Sequence, residues 1–251
     1  MAQDTLTVMT YNIYHGENPD VSGEGTVAGI AELINRHQPD FVALQEIDSM
    51  TTRLAKLNNG RSFDLADSLA KLTNMHGYFG RAINFEGGGY GIGILSKKKF
   101  DARRNRLPNP RKGEPRVLLQ LEGKTPKGYP IIFAGTHLDH QHEANRLAQV
   151  EAISQKLTGN DSPVILAGDF NFPPGSRGYQ QMARQWIDAG LQSPQDDEPA
   201  LTYPTENPQK RIDYIWLSKG WDWKVLEYQT PEVGLSDHWP VVAKIIVYPA
   251  D

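Results

Sequence analysis

Val164-Ile-Leu-Ala167 is a short, unbroken apolar run that stops at Gly168 and hands over to Asp169-Phe-Asn171. A run this short and this apolar reads as a strand buried on both faces. In extended chain, side chains two residues apart point to the same face. Asp169 and Asn171 are therefore expected to emerge together at the exposed end of a rigid core strand. A carboxylate and an amide held in that way make a platform for positioning a water or a metal. A strand that ends in a polar turn accounts for the same residues, because Asp, Asn and Gly favour turns. Other strand ends with the same chemistry would separate the two.

The pattern recurs. Residues 6–13 alternate as a strand with Asn12 at its end. Thr26 is placed as a helix N-cap, and Val27, Ile30, Ala31 and Ile34 follow at helical spacing up to a stop at Pro39-Asp40. Residues 41–44 form a second buried strand that ends on Gln45-Glu46. Further on, the strand 131–134 ends at Thr136-His137-Leu138-Asp139. A helix follows with Leu147, Val150, Ile153 or Ser154, and Leu157 on one side, and the Asp169 strand closes the unit. Asn12 and Glu46 lie 34 residues apart, His137 and Asp169 32 apart. Two strand–helix–strand units with a polar residue at each strand end suggest an internal duplication.

Between and after these units, a helix is expected over 62–75 with Ser62 as its cap. Hairpin strands are expected at 78–85 and 90–95 around residues 86–89, and another strand at 116–121. Residues 173–210 are rich in Pro, Gln, Asp and Glu, with one helix expected over 179–189. A strand over 212–217 carries Asp213 near its start. A turn at 218–220 leads to a strand at 223–228, where Trp221 and Trp223 read as packing residues. Ser236-Asp237-His238 precedes the last strand, 240–247.

With 251 residues and 39 % hydrophobic content the chain can bury a real core, as one large α/β domain or two small ones. The absence of cysteine excludes disulfides, thiolate nucleophiles and cysteine-ligated zinc. No apolar run approaches the roughly 18 residues that cross a membrane, so no transmembrane segment is expected. The compartment stays open: cytoplasmic, or secreted or periplasmic behind a removed leader. A net charge of −4 conceals a basic segment, 97–116, with nine basic residues against Asp101 and Glu114. Such a segment can attract phosphate-rich ligands or simply solvate an edge strand.

The polar strand ends supply Asn12, Glu46, Asp169, Asn171, Asp213 and Asp237, hard oxygen donors suited to Mg²⁺, Mn²⁺ or Ca²⁺. His137 and His238 add groups that titrate near neutrality. Two carboxylates about 4 Å apart repel by roughly 4 kcal/mol at an effective dielectric near 20, and a divalent cation would remove most of that cost. His137, His140 and His142 are a weaker zinc candidate, because no His-Glu-x-x-His spacing accompanies them.

Seven segments in order, Thr10-Tyr-Asn-Ile13, Leu44-Gln-Glu46, Tyr90-Gly-Ile-Gly-Ile-Leu-Ser96, Thr136-His-Leu-Asp139, Gly168-Asp-Phe-Asn171, Ile212-Asp-Tyr-Ile215 and Ser236-Asp-His-Trp-Pro240, resemble the motifs of the endonuclease/exonuclease/phosphatase superfamily. The resemblance implies a single domain over 1–251 with an α/β fold, a four-layer αββα sandwich of two mixed sheets packed face to face with helices outside. It also implies Mg²⁺-dependent cleavage of a phosphoester. By the same resemblance Glu46 matches the principal metal ligand, with Asn12 beside it and Asp237 in the metal region. Asp169 and Asn171 match the pair that orients the attacking water and the phosphate. His238 matches the histidine at the scissile phosphate, held by Asp213, and His137 a second phosphate-contacting histidine. Tyr90, Arg116 and Arg146 are candidate phosphate contacts.

Glu46 is followed by Ile47-Asp48 where the repair nucleases carry Thr-Lys, which counts against an abasic-site enzyme. A monomer acting on a small phosphoester or a lipid headgroup is favoured. A nuclease acting on DNA or RNA is the alternative, and a catalytically silent binding module is the reading from another class.

Overall fold

The computed structural model describes residues 4–194 and 199–248. In chain order the first-half strands are β1 (Asp4–Asn12), β2 (Phe41–Ser49), β3 (His76–Phe85), β4 (Gly88–Ser96), β5 (Asp101–Arg106) and β6 (Val117–Lys124). Those of the second half are β7 (Pro130–His137), β8 (Val164–Asp169), β9 (Trp186–Asp188), β10 (Asp213–Ser218), β11 (Trp223–Gln229) and β12 (Val241–Val247). The helices are α1 (Val27–His37), α2 (Thr52–Leu57), α3 (Leu65–Thr73), α4 (Glu143–Leu157) and α5 (Arg177–Ala183).

The strands form two six-stranded sheets, ordered β11-β12-β1-β2-β4-β3 and β5-β6-β7-β8-β10-β9. β1 and β2, joined through α1, run parallel, as do β7 and β8, joined through α4. The other pairings are antiparallel, so both sheets are mixed. The second half retraces the first: β7 to β10 repeat the path of β1 to β4. The hairpins β5–β6 and β11–β12 each cross to the edge of the other half's sheet. The duplication read from the 34- and 32-residue spacings is thus present in the topology.

Alternation along the strands sorts the side chains into layers. Leu6, Val8, Phe41 and Ala43 of one sheet meet Phe133, Ile165, Ala167 and Ile215 of the other in the central core. Met9, Tyr11, Val42 and Leu44 face outward beneath α1 and α3, and Leu166, Tyr214 and Trp216 pack with residues of α4 and α5. Each such side chain, fully buried, stabilises the fold by roughly 1.5–3 kcal/mol. The result is the expected four-layer αββα arrangement.

Several local expectations change. Thr26 precedes α1, but its side chain makes no cap hydrogen bond. The helix expected over 62–75 is α3, which starts at Leu65, and α2 precedes it where no helix was expected. Thr51 caps α2 by accepting from the Leu54 N–H, and Asp64, not Ser62, caps α3 by accepting from the Asp67 N–H. The helix expected over 179–189 is α5, which stops at Ala183 ahead of the edge strand β9. The basic segment contains the exposed edge strand β5. Trp223 packs against the central core, its indole N–H bonded to the Ser218 carbonyl.

Candidate active site

A cavity of about 640 Å³ opens where the C-terminal ends of β1, β2, β7 and β8 converge. Asn12, Glu46, Tyr90, Arg116, His137, Arg146, Asp169, Asn171, Asp237 and His238 all line it. Asp213 does not reach the wall; it lies buried behind His238.

Glu46 reaches the cavity through a β-bulge. Gln45 pairs with Ile92 and Ile47 with Gly91, so Glu46 is an extra residue, at φ +60°. β2 does not end at Gln45-Glu46 as expected but runs on to Ser49. A bulge re-aims one side chain while disrupting the ladder only locally, and the positive φ of a non-glycine residue here is backbone strain at the cavity wall.

Asp169 ends β8, but Asn171 does not share its face in extended chain. Asn171 adopts φ +53°, and its N–H donates back to Asp169 Oδ1 at 2.9 Å, an Asx-type turn. Its side-chain amide donates to the Leu138 carbonyl at 3.1 Å. The two residues still meet in the cavity, through a turn and not through strand alternation.

Asn12 is the hub. Its Nδ2 lies 3.3 Å from Glu46 Oε1, 3.2 Å from Asp169 Oδ2 and 3.5 Å from His238 Nε2. The Ser236 hydroxyl donates to the Asn12 carbonyl at 2.7 Å, which locks Ser236-Asp237-His238 onto the end of β1. On the other side of that motif, the Trp239 N–H donates to the Thr202 carbonyl, and Thr202 Oγ1 accepts from the Ile212 N–H. Thr202 therefore braces His238 against the start of β10, where Asp213 sits.

The two histidines differ in their protons. Arg116 Nη1 lies 3.1 Å from His137 Nδ1. A guanidinium only donates, so Nδ1 accepts and the ring carries its proton on Nε2, 3.3 Å from Asp169 Oδ2. Burial, then the Arg116 charge, hold His137 well below the usual histidine range and keep it neutral. His238 Nδ1 lies 2.9 Å from Asp213 Oδ2 and donates to it. Burial opposes the charge of His238, but Asp213, backed by Asp169 and Asp237, outweighs it and pushes the pKa up to about 10. Burial, and next the Asp213 charge, raise the Asp169 carboxyl. Burial, and next Asp237, raise that of Glu46. The site thus pairs a neutral histidine with a cationic one across Asp169, the separation of protonation states that acid–base chemistry requires.

Asp169, Asp213 and His238 present ligand atoms within 4.8 Å of one another, close enough to hold a metal ion. His137, His140 and His142 form no such cluster among the described residues. His140 lies at the cavity, its Nδ1 3.2 Å from Arg116 Nη2, while His142 stands at the start of α4.

Arg116 sits just before β6 at the end of a loop pinned by two buried amides of α4. Asn145 Oδ1 accepts from the Arg111 N–H, and Gln149 Nε2 donates to the Pro108 carbonyl. The lining residues that the sequence did not single out for the site are Glu114, Pro173, Tyr203, Lys210 and Ile212, and His140 was weighed there only as a zinc ligand. Tyr203 packs on His238 with ring centroids 4.7 Å apart. It lies in the irregular segment 173–210, where no periodicity marks it. Arg104 and Arg111 lie outside the cavity lining; Arg104 donates to the Arg81 carbonyl.

The sequence model of the Endonuclease/Exonuclease/phosphatase family matches residues 9–238. Solved structures share the fold at low identity. An endonuclease/exonuclease/phosphatase family protein from Bacteroides thetaiotaomicron is 18 % identical with a TM-score of 0.77, covering 98 % of this chain and 99 % of that one. A mannosyl-6-phosphatase from the same organism is 19 % identical with a TM-score of 0.74, over 96 % and 99 %. The catalytic domain of human Nocturnin, which carries a bound sulfate, is 20 % identical with a TM-score of 0.71, over 98 % of each chain.

Proposed function

The chain belongs to the endonuclease/exonuclease/phosphatase family, whose members are phosphoester hydrolases, and we propose that it cleaves a compact phosphoester by in-line attack of water, with a divalent cation at Asn12, Glu46 and Asp237. The observation that carries this reading is Asp169. Its Oδ2 stands between a neutral and a cationic histidine, beside the amide that also reaches Glu46.

The donor set fits a hard cation. Glu46 and Asp237 share the cavity and repel, and among the described residues neither forms an ion pair with a basic side chain. Glu46 and Asp237 offer carboxylate oxygen, the preference of Mg²⁺, Mn²⁺ and Ca²⁺. Asn12 turns its amide N–H toward Glu46 while its Oδ1 accepts from the Tyr14 N–H, so it would orient Glu46 here and ligate only with its amide reversed. The alternative cluster around His238 is less suited, because the Asp213 carboxylate is already engaged by the Nδ1–H. Bound at Glu46, the cation would supply Lewis-acid stabilisation of charge growing on the phosphoryl oxygens.

The chain's own residues account for the rest. Asp169 and Asn171 orient the attacking water. His238, cationic and held by Asp213, donates from Nε2 to the phosphoryl group or the leaving oxygen, and His137 adds a neutral Nε2–H donor. Arg116, Arg146 and Tyr90 contact the non-bridging oxygens. Donors fixed before the reaction stabilise developing charge without reorganisation.

A cavity of about 640 Å³ suits a compact ligand. That the fold also serves a mannosyl-6-phosphatase supports a sugar phosphate as the substrate class, and the cavity has room for a small diester as well. A nuclease is the second reading, favoured by the exposed basic residues along β5. Incubation with Mg²⁺ and a panel of sugar phosphates, small diesters, lipid headgroups and oligonucleotides tests the choice. Turnover of the small esters is expected, and turnover of oligonucleotides alone would overturn it.

A further inference from the structure

Behind Tyr90 lies a cluster that the chemistry above does not use. Asp48 is fully buried and pairs with Tyr90 across the β2–β4 ladder, two residues after the Glu46 bulge. Its carboxylate oxygens accept from Arg53 Nε at 2.9 Å and Nη2 at 2.8 Å, and the Thr51 hydroxyl adds a third bond at 2.7 Å. A fork held at both oxygens fixes the plane of a guanidinium as well as its position. The guanidinium carbon lies 4.6 Å from the Phe85 ring centroid and 5.6 Å from that of Tyr90, and the two rings are 6.0 Å apart. Arg53, Phe85 and Tyr90 thus meet at one point, and a buried carboxylate sets where that point is.

The frame around the cluster is rigid. Thr52 donates from its N–H to the Glu86 carbonyl and from its hydroxyl to the Glu86 carboxylate, tying α2 to the β3–β4 turn that brings Phe85 and Tyr90 together. Stability alone does not require a charged pair here, since an apolar pair of similar volume is often as stable. The location favours another role. Tyr90 lines the cavity, and its hydroxyl feels the charges of Glu46 and Arg116 in opposite senses.

Resting on the phosphoester reading, we propose that Asp48 and Arg53 are positioning residues that hold the Tyr90 ring so that its hydroxyl donates to a non-bridging phosphate oxygen. A double-mutant cycle on the binding of inorganic phosphate in Mg²⁺, followed by calorimetry, tests this independently of turnover. Tyr90→Phe is expected to weaken phosphate about 10-fold, the loss of one hydrogen bond to a charged group. Arg53→Met should cost a similar factor in the wild-type background and less than about 2-fold when Tyr90 is already Phe, the non-additivity of coupled groups. Arg53→Lys should not rescue, because an ammonium cannot fork or lie flat on a ring. Should Arg53→Met fail to fold, Asp48→Asn repeats the cycle, removing the carboxylate that forks Arg53 while keeping the side chain's volume. Equal losses in both backgrounds, or full rescue by lysine, would overturn the proposal while leaving the hydrolase reading in place. No phosphate binding by the wild-type protein would refute both.

Discussion

Replacing Asp213 with asparagine tests the electrostatics of the site most sharply. The amide keeps an oxygen that can accept the His238 Nδ1–H, now 2.9 Å from Asp213 Oδ2, so geometry is preserved while the charge is lost. His238 sits at about 10, above its ordinary value of 6.5, although burial works against it. A neighbouring opposite charge moves a pKa by roughly 1–3 units, so Asp213→Asn should bring His238 down to about 7–9. At about 1.4 kcal/mol per unit, that is roughly 1.4–4 kcal/mol. A group whose folded pKa is raised contributes stability that is complete below its unfolded pKa and lost as pH climbs to the folded one. The contribution of His238 is therefore full below about pH 6.5 and gone by about pH 10. For a chain of this size each kcal/mol is worth about 2–4 °C in Tm. On chelated protein the variant should melt roughly 3–16 °C below wild type at pH 6.5, and the gap should close by pH 10. A gap independent of pH from 6.5 to 10, or a wild-type His238 that titrates near 6.5 by NMR, would refute the reasoning.

Other expectations follow from the same geometry. His238→Ala should lower turnover by roughly 10² to 10⁴, the worth of a positioned acid–base group, with Asp213→Asn producing a smaller parallel loss; wild-type turnover in His238→Ala would make the histidine structural. Glu46→Gln should abolish Mn²⁺ binding by calorimetry without lowering the Tm of the metal-free protein at pH 7, because a carboxyl whose pKa is raised on folding destabilises the native state once ionised. Asp188 and Arg211 form a bidentate pair, each 3 % exposed, at 2.6 and 2.8 Å. Asp188→Ala would strand the Arg211 charge and should cost about 3–5 kcal/mol, read as a shift in urea midpoint; a loss under about 1 kcal/mol would contradict the burial argument. The salt dependence of kcat/KM should be shallow on a small diester, and a log–log slope of several units on an oligonucleotide, near −0.7 to −0.9 per phosphate, would turn the assignment toward a nuclease.

The strands β2, β7, β8, β10 and β12 were legible as short apolar runs, too short for a buried helix, and β1, β3, β4, β6 and β11 were legible from alternation and turn signals. α2 and β5 were not legible. α2 is too short to show a helical period, and β5, with one alanine among charged and polar residues, exists because its backbone pairs with β6, a partner that no local pattern announces. The Glu46 bulge did leave a trace. Val42 and Leu44 face α1 and α3, and the next residue on that face is Ile47, a step of three where alternation demands two. The Asn171 turn left none, since Asp-x-Asn reads equally well as strand or turn. Asn12, His137 and Asp169 could be chosen because each stands at a strand end, whereas Tyr90 lies within β4 and Arg146 on α4. Thr202 and Ser236, which brace the His238 segment, act through hydrogen bonds to the backbone of segments far apart in sequence.

The most direct test of the central claim is hydrolysis by exhaustively chelated protein titrated back with Mg²⁺, using whichever small phosphoester the panel identifies. The account predicts no turnover after chelation and full recovery as one strong site fills, with no recovery in Glu46→Gln at the same Mg²⁺ concentration. Undiminished turnover after chelation, or equal recovery in the variant, would contradict it.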